Sequence, residues 1–487
     1  MIAYILGLLS LCEAALMVLP LIVALIYGEA VINSFIFSIA LLVVCGAVLT
    51  RFKPEDKTIY SREGLIIVSV GWILMSLGGA LPFFISGEIP NYLDAVFEAA
   101  SGFTTTGASI LSNVEALSKS MLFWRSFTHW IGGMGVLVFI MAVLPLAGGG
   151  GNIHLMRAES PGPVVGKLVP HSKTTARILY GIYLVMTVTE IILLLVGGMP
   201  LFDSVTISFG TAGTGGFGVL NNSIASYNTY CQAVITIFMA LFGINFNFYF
   251  LLICKRFKDA VKSSELWAYL GIMSGAILIV TVNIRNYFDN ILEALHHAAF
   301  QISSVMTTTG YSTTDFDKWP ELSRMVMLLV MCIGACAGST GGGFKVSRVL
   351  LLFKYARKEL HTLSHPRSVK ALTFDGNRVS EETFRNTIAF FIIYMAIFCS
   401  SLLVVSLDKM DMVSNISGVI ATLNNIGPGL GVVGPTGNFG DYSWLSKIVF
   451  IFNMLIGRLE IFPMIYLLFP SSRKKYFIKH KKTSERI

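Results

Sequence analysis

The sequence predicts an all-α polytopic membrane protein: an N-terminal helical hairpin, then four pseudo-fourfold repeats of long helix, pore loop and long helix around a central pore. Three observations predict it. The 487 residues are 54% hydrophobic and only 13% charged, with a mean hydropathy of +0.71, against a usual charged share of about 25%. Apolar windows of at least ~18 residues, the length that crosses a bilayer, recur along the chain. Between them stand four short stretches rich in Gly and hydroxyl or amide side chains: SGFTTTGAS (101–109), GTAGTGGFG (210–218), VMTTTGYST (305–313) and LNNIGPGLG (423–431).

Two apolar segments, 1–26 and 31–50, joined by YGEA at 27–30, make the hairpin, and with the basic loop they form a first unit, 1–62. The first segment lacks the basic start of a signal peptide and reads as a retained helix. One pattern then occurs four times: long apolar helix, short apolar run, Gly-bearing loop, long apolar helix, basic loop. Repeat one (63–176) has helices near 64–86 and 121–146 and the short run Asp94–Phe103. Repeat two (177–264) has 178–198, 229–254 and the run 203–212. Repeat three (265–384) has 266–287, 324–353 and a run near 291–305. Repeat four (385–487) has 386–407, 443–469, a run near 414–424 and a basic tail. AVFEAASGFTTTG and SVTISFGTAGTGG align without a gap, so Asp94 and Asp203 share a register; His297 and Ser414 take that place in repeats three and four.

Charge reports topology. Of the 36 Lys and Arg, 28 fall in five stretches: Arg51–Arg62, Arg157–Arg177, Lys255–Lys262, Lys345–Arg385 and Arg473–Arg486. Basic loops on one side follow the positive-inside rule, so the +8 net charge implies no nucleic-acid partner. The basic loops fall between repeats. Each repeat therefore crosses an even number of times, and all four Gly loops face the non-cytoplasmic side. Ten long helices with both termini cytoplasmic satisfy this, and such parallel repeats arrange around an axis along the membrane normal.

Irregular backbone at membrane depth survives only inside protein or beside a watery cavity. There, carbonyl and Thr hydroxyl oxygens can replace the hydration of a bare cation. The loops carry no carboxylate at the Gly, which suits a weakly hydrated monovalent ion and not a divalent one. Gly supplies the backbone angles that turn carbonyls inward, and the short runs point the negative ends of their helix dipoles at the centre. The filter candidates are Thr105, Thr106 and Gly107; Thr214, Gly215 and Gly216; Thr308, Thr309 and Gly310; Asn425, Ile426 and Gly427. In the fourth loop, Gly429 and Gly431 compete, and Gly427 is chosen by register.

This layout, with the filters TTG, TGG, TTG and NIG, resembles the Trk/Ktr/HKT superfamily of potassium transporters. The two extra N-terminal helices, RSFTHWIGGMG (125–135) and GRLEIFP (457–463) narrow the resemblance to the TrkH subunits of bacterial Trk systems, over essentially the whole chain. The resemblance implies potassium uptake across the bacterial inner membrane, a homodimer, and a cytoplasmic nucleotide-binding TrkA ring as gating partner. In relatives that select sodium the first filter Gly is often Ser; Gly107 therefore favours potassium. A sodium-permeable or proton- or sodium-coupled symporter of the same fold is the alternative. The four loops share only one aligned Gly, so looser K⁺/Na⁺ discrimination than in a tetrameric channel is expected.

In ACAGSTGGGFK (335–345), Gly338, Gly341, Gly342 and Gly343 break the helix, at about 1 kcal/mol per Gly relative to Ala. The resemblance implies an intramembrane loop here, beneath the filter, with Lys345 at its end and Arg458 close by. A charge at mid-bilayer costs about 2.5–3.5 kcal/mol, so Arg458 is expected to face inward, with Glu460 or loop carbonyls as partners. No cofactor is expected, and potassium is the cargo.

Other readings are weaker. Residues 213–218 match GxGxxG, but no strand precedes them, and 338–345 lack the Lys-Ser/Thr end of a P-loop. No HExxH, paired intramembrane Asp or Ser/His dyad points to an enzyme. Arg125 and His129 read as interfacial anchors, Asp94 and Asp203 as pore-helix N-caps before vestibule charges, and His296–His297 as a polar pore-helix start. Glu13 and Glu190 read as interior hydrogen-bonding groups. The C-terminal basic run reads as a membrane-surface anchor.

Overall fold

The computed structural model describes residues 1–52, 61–135, 172–365, 372–375 and 377–468. Among the described residues the regular elements are helices apart from a hairpin of two-residue strands, Thr373–Phe374 against Asn377–Arg378. The far half of the expected 121–146 helix, Arg157, Lys167 and the basic run from Arg473 lie outside the described residues.

Among the described residues, six helices are long and apolar enough to span a bilayer: Ile2–Tyr27, Ile32–Thr50, Arg62–Ser86, Arg177–Val196, Ser264–Tyr287 and Glu381–Val405. The first two are the hairpin; the others open the four repeats. The hairpin packs on repeat one through small residues, with Leu9 against Gly71 and Glu13 against Gly78. In its turn, Glu29 accepts from the N–H groups of Lys119 at 2.6 Å and Ser120 at 3.1 Å. A carboxylate at that helix start meets the orphan N–H groups and the positive dipole end.

The closing helices correct the expectation of ten continuous spans, because each breaks partway. In repeat two, Thr229–Phe242 and Phe246–Ile253 meet at 88°. The break is Gly243-Ile244-Asn245, where the Asn245 side chain accepts from Asn247 N–H and starts a new helix. In repeat three the expected break separates Glu321–Ile333 from Val346–Ser364. In repeat four Trp444–Arg458 stops at Glu460 and Ile461, both with positive φ, before Phe462–Leu468. In repeat one, Lys119–Gly133 runs into Gly135 at φ 79°. Outside repeat three, whose glycines mark its break, apolar composition carries no mark of these turns.

The short helices are Tyr92–Phe103, Leu201–Gly213, Ile291–Met306 and Met412–Leu423. Asn91, Asn290 and Asp411 cap the first, third and fourth by accepting backbone N–H groups. Asp94 and Asp203 are therefore not N-caps. They sit in the first turn, where Asp94 pairs with Lys447 at 2.7 Å and Asp203 accepts from the Tyr227 hydroxyl at 2.9 Å. The third helix is longer, with 16 residues against 12 in the first. His296 and His297 consequently lie within it, bonded to Gln232 at 2.7 Å and Thr313 at 2.9 Å.

Candidate ion filter and gate

All four short helices end alike. Thr105, Thr214, Thr308 and Asn425 have φ of 55°, 55°, 60° and 56°. Their N–H groups donate three residues back, to Gly102, Thr211, Val305 and Thr422. The next residues, Thr106, Gly215, Thr309 and Ile426, donate five back, to Ser101, Gly210, Ser304 and Ala421, at 2.8–2.9 Å. This is a Schellman closure made four times. Gly or Asn usually takes its left-handed position; a β-branched Thr there is strained by about 1–2 kcal/mol.

Two residues beyond each left-handed position stand Gly107, Gly216, Gly310 and Gly427, with φ of 77°, 78°, 86° and 96°. Left-handed, ordinary, left-handed: the alternation cancels the usual alternation of carbonyl direction along an extended chain, so successive oxygens line one side. Gly429 does not share it, whereas Gly427 and Asn425 do.

The four loops close into a ring. A Cβ built on Gly107 would overlap the carbonyl oxygen of Gly215; on Gly216, that of Thr309; on Gly310, that of Ile426; and on Gly427, that of Thr106 at 2.7 Å. Each glycine abuts the middle residue of the next loop, in the order one, two, three, four and back to one. The aligned glycines thus serve close approach as well as φ.

Among the described residues, no hydrogen bond ends on a backbone carbonyl of these twelve positions. Nine of the twelve are buried. Buried carbonyls normally find donors, so a ring of unclaimed ones could hold a cation. The side chains are different: Thr106 and Thr309 hydroxyls bond Thr104 and Thr307 at 2.7 and 2.8 Å. Thr105 and Thr308 turn to the other side, toward the gate. Beyond the glycines a cavity of about 170 Å³ is lined by residues of all four repeats, among them Ser109, Gly218, Ser312 and Pro428.

On the opposite side lies the segment 334–345. Gly342 N–H donates to Thr308 Oγ1 at 2.6 Å, and a Cβ on Gly341 would meet Thr307 O at 2.8 Å. The Gly338 carbonyl accepts from Phe246 N–H at 2.9 Å. Glu265 accepts from Ala337 and Ser347 N–H at 2.7 and 3.1 Å, holding the segment's two ends together. Lys345, at φ 81°, folds back to the Gly341 carbonyl. Gly343, at φ 81°, packs on Gly334.

Arg458 reaches into the same space. It donates to Thr340 O at 2.9 Å, Thr105 Oγ1 at 3.2 Å, Gly133 O at 2.8 Å and the Gly132 carbonyl. Its expected loop-carbonyl partners are present. Glu460 forms its ion pair with Arg348 instead, because the positive φ at Glu460 and Ile461 turns the chain away. Arg125 and His129 are not interfacial anchors: both are buried, at 2% and 0% exposure. Arg125 pairs with Glu98 at 2.6 Å, and His129 Nδ1 bonds the Gly102 carbonyl at 2.9 Å. Glu13 and Glu190 are interior, but the expected hydrogen bonding is incomplete: among the described residues Glu13 Oε1 and both Glu190 oxygens have no hydrogen-bond partner. The Glu98–Arg125 pair was missed; a Glu in one short run and an Arg in the helix after it was the available signal.

Four re-entrant loops joined in a ring between paired membrane helices define the class, a pseudo-fourfold pore protein. The TrkH family model, described as a cation transport protein, matches residues 30–475. The chain belongs to this family of transport proteins. It is 37% identical to the Trk system potassium uptake protein TrkH of Salmonella typhimurium, over 96% of this chain and 98% of that one. It is 33% identical to the Trk system potassium uptake protein TrkG of Escherichia coli, covering 92% and 93%. The crystal structure of the potassium transporter TrkH from Vibrio parahaemolyticus superposes with a TM-score of 0.86 at 34% identity, covering 96% of this chain and 98% of that chain.

Proposed function

We propose that the chain is the translocation subunit of a Trk-type uptake system. Potassium enters the cell through the ring at 105–107, 214–216, 308–310 and 425–427. The observation that carries this reading is the closed set of buried carbonyls without donors. Neutral dipoles of that kind suit a weakly hydrated monovalent ion. The relatives' printed names, potassium uptake proteins, support the choice of ion.

The unit 1–62 is an N-terminal hairpin with its basic loop, and 63–176, 177–264, 265–384 and 385–487 are the four repeats of this device, the last with a basic tail. Gly338, Gly341, Gly342, Gly343, Lys345 and Arg458 form the barrier beneath it. The barrier moves when a cytoplasmic nucleotide-binding partner of TrkA type changes state. The chain works as a homodimer in the bacterial inner membrane, with both termini cytoplasmic, a side supported by the basic loops. Rubidium-tracer uptake by proteoliposomes holding the purified chain, with potassium or sodium as competitor and with or without the partner, tests it. Saturable uptake blocked by potassium far better than by sodium is expected. Equal competition supports the sodium-permeable alternative, a dependence on a proton or sodium gradient supports the coupled one, and no uptake with or without partner ends the proposal.

A further inference from the structure

Behind the first filter loop lies a buried ion pair; the positions in register with Glu98 in the other three repeats carry no charge. Glu98 faces it from the short helix and Arg125 from the closing helix, with side chains 0% and 2% exposed. Arg125 binds Glu98 Oε1 through Nε at 2.8 Å and through its terminal nitrogen at 2.6 Å. The remaining capacity of both groups goes to the loops. Glu98 accepts from the Ser109 hydroxyl at 3.0 and 3.1 Å and from Ile110 N–H at 3.2 Å. Arg125 donates to Ser109 Oγ and to the Gly218 carbonyl, both at 3.4 Å, and stacks over the Phe217 ring at 4.0 Å.

Ser109 and Gly218 each lie two residues beyond a filter glycine. The pair thus ties the outer ends of loops one and two together, and the Ser109 carbonyl, accepting from Phe439 N–H at 2.8 Å, extends the tie to repeat four. Nine residues before the other filter glycines stand Ile207, Gln301 and Gly418. Gln301 reproduces the link in neutral form, donating to Thr314 O at 3.0 Å. In repeat four Ser417 substitutes, donating to and accepting from Leu430 at 3.1 and 2.9 Å. Among the described residues, only repeat one puts a charge at this register; loop four meets one further out, where Asp317, paired with Arg324 at 3.1 Å, accepts from Gly431 N–H at 3.0 Å.

A buried ion pair adds little net stability, because desolvation offsets its Coulomb attraction, yet breaking one partner is costly. What it adds is direction: two guanidinium nitrogens converge on one carboxylate oxygen, a charge-assisted contact with a defined geometry. We propose that Glu98 and Arg125 are positioning residues for selectivity, a clamp that fixes the spacing of the first and second carbonyl sets and so the discrimination between potassium and sodium. The pair is neutral as a whole and does not act by attracting cations. This inference rests on the filter reading above.

The test compares rubidium and sodium tracer uptake in proteoliposomes for wild type, E98Q, R125Q, the double variant, S109A and S109T. Loss of one hydrogen bond to a charged group predicts a fall of about tenfold or more in the K⁺/Na⁺ ratio for E98Q and R125Q. The double variant should fall less than the product of the singles. S109A, which leaves the ion pair intact and removes the hydroxyl link from it to loop one, should lower the ratio, and S109T should restore it. Melting temperature and partner-dependent activation read a merely structural role; in S109A neither should change. An unchanged ratio in E98Q and R125Q overturns the clamp. If both fail to assemble, S109A decides: an unchanged ratio there overturns it as well. A wild type that does not discriminate the two ions sinks the filter reading itself, a result distinct from insensitive variants of a selective wild type.

Discussion

Removing the guanidinium beneath the filter, by Arg458→Ala, should raise ion flux through the chain in the absence of any partner. Arg458 donates to a filter hydroxyl, Thr105 Oγ1, at 3.2 Å, so an ion leaving the ring passes it at about 5 Å. At that separation and an effective dielectric of about 20, two unit charges repel by about 3 kcal/mol, roughly a hundredfold in rate. The nearby Arg348 and Glu460 are paired and largely cancel. The assay is initial rubidium uptake by proteoliposomes at matched protein density. Arg458→Lys keeps the charge and should stay within about tenfold of wild type. The Ala variant also strips a donor from the carbonyls of Thr340, Gly132 and Gly133, so its melting temperature should fall by several degrees. Uptake by Arg458→Ala no faster than wild type, at normal assembly, would refute the electrostatic barrier.

Three further outcomes follow from the same geometry. Gly427→Ala meets φ 96° and the Thr106 carbonyl and should abolish selective uptake. Gly429→Ala meets side chains as well as backbone and has no positive φ, so it should keep the K⁺/Na⁺ ratio; the reverse result would move the fourth filter register. Thr308→Val removes the 2.6 Å acceptor of Gly342 N–H; at about 1 kcal/mol, partner-independent flux should rise about fivefold, with Thr308→Ser near wild type. Glu265→Ala frees both ends of the 334–345 segment, and protease nicking at that segment should appear in detergent, whereas Glu265→Gln, which retains an acceptor, should resist.

The helices that open the repeats and the four loops were legible in the sequence because each rests on a one-dimensional signal. A bilayer demands a run of apolar residues, and a left-handed turn demands Gly at a fixed distance from it. The breaks in the closing helices of repeats two and four were not legible. Glu460 and Ile461 adopt positive φ, and the partner that Glu460 then meets, Arg348, belongs to another repeat. The same holds for Asp94, which a local rule makes a cap but which Lys447, 353 positions away, claims as an ion pair. Arg125 reads as an anchor by its place near a helix start; only the fold brings Glu98 to it.

The residues at the left-handed positions explain why filter and barrier form one device. Thr105, Thr308 and Asn425 are not the residues that relax a Schellman closure most cheaply; Gly is. Each carries a side chain that glycine lacks, and each side chain is engaged below the ring. Thr105 holds Arg458, Thr308 holds Gly342, and Asn425 Nδ2 bridges Thr106 Oγ1 at 2.9 Å to the Met454 carbonyl at 2.8 Å. At Thr105 and Thr308 the strain of about 1–2 kcal/mol per position is thus coupled to contacts with the barrier, whereas Asn425 ties loop four to loop one and to its own closing helix. When the barrier withdraws, those contacts go and the strain stays, so the filter backbone of an open pore is held less firmly than that of a closed one. Discrimination between potassium and sodium should therefore be poorer in Arg458→Ala than in wild type, even though the variant leaves all twelve filter residues in place.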